Sequence, residues 1–329
     1  MNRSTPRGPP EPAVADYRIL SLSGGGFLGL YTAQLLEGLE QRAGVPLARR
    51  FDLLAGTSVG AILALALAYE VPMARMVRLF TDIGPAVFSG RALPSSTVGR
   101  IVDLGRSVLG PKYDGEALRQ ALVAELGTRT LHEALHAVVV PAVDVGQCCT
   151  KVFKTPHVPA AAGDGALAAV EVAMASAAAP TYFPSVRVGG RLYADGGLFA
   201  VAPDQVALHE AEHFAGIDVA RVRMLALGTA AAGYRPAAGA RPDDGAVSWL
   251  ADGRLVMTLI AAQQQHAQAM MEDRLGDRYL RLDAGWPVDA GLALDVATAQ
   301  ATVHLRALAQ QTIDRLPDPA TLRWWIGER

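Results

Sequence analysis

Three groups of residues have the types and spacing to carry chemistry. The first is Gly56-Thr57-Ser58-Val59-Gly60, a serine set between two glycines. A β-like run, Phe51 to Leu54, precedes it, and Ala61 to Ala68, apolar on every side, follows it. A Gly-x-Ser-x-Gly turn between a strand and a buried helix is the pattern of a nucleophile elbow. The turn holds the serine oxygen outward above the helix N-terminus, and Gly56 and Gly60 allow backbone packing that a Cβ would block. The bare pentapeptide also occurs as an ordinary turn, so the flanking strand and helix carry the argument.

The second group is Ser23-Gly24-Gly25-Gly26-Phe27-Leu28-Gly29. Backbone N–H groups of Gly24, Gly25 and Gly26 at a helix start can stabilise a developing oxyanion. Gly24, Gly26 and Gly29 also fit a dinucleotide-binding fingerprint, which needs an acid at the end of the second strand to hold a ribose. That strand ends at Ala55-Gly56-Thr57, and its one acid, Asp52, lies at the wrong end. The third group is Asp195-Gly196-Gly197. Alone it is an ordinary turn, but a carboxylate in an apolar pocket near Ser58 gains the proton affinity that a general base needs.

The elements that must position these groups follow from periodicity. Tyr17 to Leu22 reads as a strand, and the spacing of Leu30, Leu35, Leu36 and Leu39 predicts a helix. Two strand–glycine turn–helix units in the first seventy residues point to a parallel sheet with crossover helices. Further strands are expected at Ala137 to Val145, Arg223 to Leu227 and Tyr279 to Leu282, with a hairpin from Val186 to Ala194 turning at Gly189-Gly190. Helices are expected at Val170 to Ala178, Val247 to Leu275 and from Leu292 onward. Thr130-Leu131-His132-Glu133 is a capping box opening a short helix. Gly84 to Lys112, rich in Gly, Pro and Ser, reads as a long loop or lid with broken helices, and Ala230 to Gly245 as a second loop. Residues 1–15, rich in Pro and Arg, read as a disordered tail, and 16–329 as a single domain.

Composition narrows the function classes. Of 329 residues, 51% are hydrophobic and 19% charged, a core-rich globular chain. Lys+Arg 30 against Asp+Glu 32 supplies no basic field, which disfavours DNA or RNA as a partner. Two adjacent cysteines, Cys148 and Cys149, make neither a disulfide framework nor a zinc site, and a reducing cytosol suits them. They read as inert core. The longest apolar run, Val59 to Tyr69, is about half of what a membrane span needs, so contact with a membrane is expected to be peripheral.

Four ordered blocks resemble the patatin-like phospholipases: Ser23 to Gly29, Gly56 to Gly60, Ala175-Ser176-Ala177-Ala178-Ala179-Pro180-Thr181-Tyr182-Phe183-Pro184, and Asp195-Gly196-Gly197. The resemblance runs from about residue 17 to 283. It implies an α/β class, a three-layer α/β/α fold with a central, mostly parallel sheet. It implies a Ser58–Asp195 dyad with no catalytic histidine, no metal and no cofactor, an oxyanion hole at the glycine loop, and membrane phospholipid as substrate at the inner face of the cytoplasmic membrane. Two departures stand out. Leu28 occupies a position where the family commonly has Arg or Lys. Val201-Ala202-Pro203 stands where an Asn-Pro or Asn-Asn-Pro is frequent, which removes an amide able to brace the turn after the aspartate. A narrower resemblance, on Leu22 to Tyr31 and compact length, is to bacterial patatin-like effectors of cyclic-oligonucleotide antiphage signalling. It implies a cyclic dinucleotide activator and leaves room for a homo-oligomer. Arg91, Arg100, Arg106 and Lys112 are candidate phosphate contacts for a lipid head group or that activator, and equally fit a solvated loop.

Other constellations weigh less. His132-Glu133-Ala134-Leu135-His136 and His209-Glu210-Ala211-Glu212-His213 match a two-histidine zinc pattern. The helix holding the former is too short, and Asp218 falls one residue short of a third ligand for the latter. Ser58, Asp195 and His304 follow the order of an α/β-hydrolase triad, but the early elbow leaves little chain for the strands that usually precede it. A general carboxylesterase using that triad, or a nucleotide-sensing module with an inactive site, are the alternatives. Trp324-Trp325 reads as a helix-packing pair, and no ligand cluster suggests calcium.

Overall fold

A computed structural model describes residues 16–88, 110–232, 234, 249, 254–286, 292–316 and 319–327. The proposed tail, Arg91, Arg100 and Arg106, and most of the Ala230–Gly245 loop lie outside the described residues. Among the described residues, eight strands form one mixed sheet: β1 (Tyr17–Leu22), β2 (Leu53–Gly56), β3 (Val138–Asp144), β4 (Cys149–Lys154), β5 (Val186–Val188), β6 (Arg191–Asp195), β7 (Val222–Leu227) and β8 (Tyr279–Leu282). The order is β5-β6-β3-β2-β1-β7-β8, with β4 on β3. Strands β3, β2, β1, β7 and β8 run parallel, and the pairings of β4 and β6 with β3 and of β5 with β6 are antiparallel.

Both faces of the parallel strands are covered, as such strands require. Successive side chains alternate between two apolar layers. Leu20, Leu22, Leu54, Leu225 and Leu227 join one cluster with α1 (Gly29–Ala43) and α2 (Val59–Ala68). Ile19, Leu53, Ala55, Met224 and Ala226 join the other, packed on Ala207, Leu208, Ala211, Met271 and Leu275. This is the expected three-layer α/β/α arrangement. Helix α2, made of Val, Gly, Ala, Ile and Leu alone, is buried at every position, as its lack of a polar face demands.

Several boundaries and two elements differ from expectation. β2 begins at Leu53 rather than Phe51, because Leu47–Arg50 forms a 3-10 turn and the Asp52 carboxylate accepts the Arg18 N–H. β4 was not anticipated, and it alters the place of the cysteines. Cys148 and Cys149 are exposed at the tip of the β3–β4 hairpin, where neither packs as core. The Thr130–Glu133 capping box forms, yet closes only one 3-10 turn before Ala134 becomes extended. Leu292 to Ala297 is no helix. It is a buried strap whose Leu294 carbonyl accepts the Phe27 N–H at 2.7 Å, and the helix begins at Ala299. Within the expected loop or lid, Gly84–Val87 is a short helix, in line with the broken helices expected there, and Lys112 and Tyr113 pair with Thr181 and Tyr182, while residues 89–109 are not described. Among the described residues no helix is long and apolar enough to cross a membrane.

Glycines fix how closely α2 and β1 approach. A Cβ on Gly60 would overlap the Leu22 and Ser23 carbonyls, and backbone has no side chain to move aside. Gly44, with φ +65, faces open space, so substitution there meets only the left-handed conformation. Gly60→Ala is therefore expected to cost at least about 3 kcal/mol and Gly44→Ala about 1 kcal/mol in urea unfolding. Equal costs would contradict the packing account.

Candidate active site

The edge of β3 is shared. β4 pairs with residues 139–144 on one side, so β2 and β6 occupy the other side in succession. β2 pairs at Val138 and Val139, and β6 at Ala142 to Asp144. Because β6 runs antiparallel to β3, its end at Asp195 faces the end of β2 at Gly56, leaving a short opening beside Val140 and Pro141. Ser58 and Asp195 meet in that opening.

Ser58 caps α2 with φ 56° and ψ −122°, a region that a residue with a Cβ rarely adopts. This strained conformation turns the side chain away from the helix, and it is the elbow read from the pentapeptide. Its hydroxyl hydrogen-bonds to the Asp195 carboxylate. The Gly197 N–H donates to Asp195 Oδ1 at 2.6 Å. Asp195 is buried, and that desolvation pushes its pKa up to about 6 in spite of the bonds from Ser58 and Gly197, which lower it. The carboxylate is thus a stronger base than a solvated aspartate and is still ionised at neutral pH.

The glycine loop lies against this pair. A Cβ on Gly24 would press on the Ser58 Cβ and the Thr57 carbonyl. Gly24 cannot serve the oxyanion role expected of it, since its N–H is bonded to the Val201 carbonyl at 2.8 Å. Gly25 and Gly26 have N–H groups with no acceptor among the described residues, and so does Val59, the residue after Ser58 at the start of α2. Three free donors and a helix N-terminus make a cradle for negative charge. Val59 was readable from the elbow pattern, whose oxyanion hole uses the residue after the nucleophile.

Neutral side chains bind these loops together, and sequence reasoning missed them. The buried Ser176 hydroxyl accepts the Ser58 N–H at 3.0 Å and donates to the Pro141 carbonyl at 2.7 Å. Thr57 donates to the Ala200 carbonyl at 2.7 Å and Thr229 to the Gly24 carbonyl at 3.1 Å. Gln263 bonds the backbone of Gly197 and Val201. Thr57 and Ser176 lie in blocks that the sequence singles out, but neither was assigned this bracing role, and Gln263 lies in no such block. A buried cation also approaches the glycine loop despite Leu28. Arg281 on β8 is bound to Asp283 at 2.7 Å and reaches the Ser23 hydroxyl at 3.4 Å.

The remaining candidates fall elsewhere. Lys112 is committed to Asp295 at 2.7 Å rather than open for phosphate. His136 bonds Glu70 at 3.0 Å, and His132 and His136 share no helix. His209 and His213 stack face to face at 5.0 Å, and Glu210 between them binds Lys154 at 2.5 Å. Among the described residues no three metal-ligating side chains cluster. His304 lies half-buried on the helix Ala299–Asp314. Trp325 is buried and Trp324 stacks under Arg223 at 3.6 Å, the packing use expected of the pair.

A family model for patatin-like phospholipase matches residues 20–208. The chain is 38% identical over 311 residues to a cGAMP-activated phospholipase of Pseudomonas aeruginosa, covering 93% of this chain and 91% of that protein. It is 33% identical over 321 residues to a cGAMP-activated phospholipase of Vibrio cholerae, covering 89% of each. To Patatin-17 of Solanum cardiophyllum it is 32% identical over 182 residues, 50% of this chain and 43% of that protein. The chain belongs to the patatin-like phospholipase family, carboxylic ester hydrolases that act on lipid acyl groups.

Proposed function

We propose that this protein hydrolyses acyl esters of membrane phospholipids through a Ser58–Asp195 dyad at the inner face of the cell membrane, switched on by a cyclic dinucleotide. One observation carries the dyad: the Ser58 hydroxyl is bonded to a buried carboxylate whose proton affinity is raised. Among the described residues, that carboxylate is otherwise bonded only by the Gly197 N–H. In this reading Asp195 takes the Ser58 proton as the Ser58 oxygen attacks the acyl carbonyl. The resulting oxyanion is held by the Gly25, Gly26 and Val59 N–H groups. Asp195 then gives the proton to the departing lysophospholipid alcohol, leaving acyl-Ser58. In the second half Asp195 takes a proton from water, the hydroxide attacks the ester, and the proton returns to Ser58 as the fatty acid leaves.

Support for the switch comes from the two bacterial relatives, both cGAMP-activated phospholipases, whose alignments cover most of this chain. Arg91, Arg100 and Arg106 remain the phosphate candidates in this reading, while Lys112 is occupied by Asp295. Whether the chain acts as a homo-oligomer is part of the same proposal and is read from its mass in solution with and without nucleotide.

The test of substrate and switch is fatty-acid release from phosphatidylethanolamine–phosphatidylglycerol vesicles. Wild type is expected to release fatty acid only with cGAMP or a related cyclic dinucleotide, and Ser58→Ala at least about a thousandfold less. Release without nucleotide overturns the switch, and no release by folded protein under either condition overturns the phospholipid substrate.

The base assignment sets a pH dependence. Asp195 must be ionised to accept a proton, so kcat/KM is expected to fall below about pH 6 with unit slope. Stability runs the other way. The folded pKa lies above the unfolded value of 3.8, so the protonated carboxyl stabilises the fold at low pH, and this is lost as pH rises through about 6. Above that pH the buried charge costs up to about 3 kcal/mol. Asp195→Asn is thus expected to be inactive yet more stable than wild type at pH 8, and a lowered Tm there would contradict the assignment.

A further inference from the structure

We infer that Gln263 is a positioning residue that holds the Asp195 turn and the glycine loop in one fixed relation. It lies on the helix Arg254–Leu275, 66 residues beyond Gly197 and 62 beyond Val201. Its Nε2 donates to the Gly197 carbonyl at 3.1 Å, and its Oε1 accepts the Val201 N–H at 3.1 Å. The amide therefore supplies one donor and one acceptor to the turn, as a neighbouring strand would.

Each anchored residue leads directly to a catalytic element. The N–H of Gly197 is bonded to Asp195, and the carbonyl of Val201 is bonded to the Gly24 N–H. Between them the Ala200 carbonyl is held by Thr57, next to Ser58. The turn Gly196–Val201 thus touches base, nucleophile and oxyanion loop at once, and Gln263 bonds it at both ends. The sequence explains the need. With Val201-Ala202 in place of asparagines, the turn carries no amide side chain of its own, and the brace arrives from a distant helix. That helix is fixed on its inner side by buried Met257, Ile260, Ala261 and Ala267, so the amide is delivered from a packed surface.

A brace of this kind acts through Asp195, and the inference rests on the dyad. Losing it frees Gly197 and Val201, weakens the Gly197 N–H bond that lowers the Asp195 pKa, and moves the acid limb of the rate profile to higher pH. Gln263→Met keeps the volume and removes the amide. Gln263→Leu likewise removes the amide without adding a charge that would itself shift Asp195, and it answers the same question should the methionine variant not fold. Turnover of a short-chain nitrophenyl ester is measured with cGAMP present, per active serine titrated with a fluorophosphonate. Both variants are expected to lose about ten- to a hundredfold in kcat with KM nearly unchanged, and to show the shifted limb. Wild-type kcat per active serine, or a fall in kcat with an unmoved limb, overturns the brace. Asp195→Asn, assayed per mole of folded protein because it is expected to titrate no serine, separates the two levels, since activity in that variant overturns the dyad and the brace together.

Discussion

Strand β3 lends one edge to two strands in succession, and the space left between them makes everything else in the site possible. A backbone edge opened inside a sheet carries polar groups that must find partners. Here Pro141 brings no N–H, and its carbonyl is taken by Ser176, whose hydroxyl also accepts the Ser58 N–H. The gap is thus satisfied by a side chain instead of a strand, and it stays open for chemistry. Because β2 and β6 approach it from opposite directions, Asp195 at the end of β6 and Ser58 just past the end of β2 arrive at the same place. Ser58 and Asp195, 137 positions apart in the chain, are neighbours for that reason.

The arrangement is costly at two points. Ser58 holds a left-handed conformation worth of order 1–3 kcal/mol of strain, and Asp195 carries a buried charge at neutral pH. The surroundings hold both in place. Gly56, Gly60 and Gly24 let backbone meet backbone around the serine, and an all-apolar α2 anchors the elbow in the core. Thr57, Ser176, Thr229 and Gln263 tie the loops to one another through neutral hydrogen bonds, which add no field to compete with Asp195. The cost at Ser58 and Asp195 is thereby offset by packing and bonding a few ångströms away.

Much of this is legible in the linear sequence, and the divide has a physical cause. Ser58, its glycines and the helix after it are local: a turn followed by ten apolar residues states its own structure. The strands of the parallel sheet are equally plain from their apolar runs. Asp195 was identifiable as a candidate, but its burial and raised proton affinity depend on tertiary contacts. Gly24 was misread because only the folded chain reveals that Val201 occupies its N–H. β4 was missed because Cys149–Lys154 mixes polar and apolar residues on both faces and starts exposed, so it has little apolar signal, and this also misplaced the two cysteines. Gln263 gives no sign at all, since a glutamine on a helix is ordinary until the fold brings it to Gly197.

The central claim is that Ser58 is the reactive group and that Asp195 activates it. Labelling with a fluorophosphonate, followed by peptide mass analysis, reads both at once. The account predicts a single modified serine, Ser58, with labelling that follows the ionisation of Asp195 and is abolished in folded Asp195→Asn. Modification of a different serine, or undiminished labelling of Ser58 without the carboxylate, would contradict it.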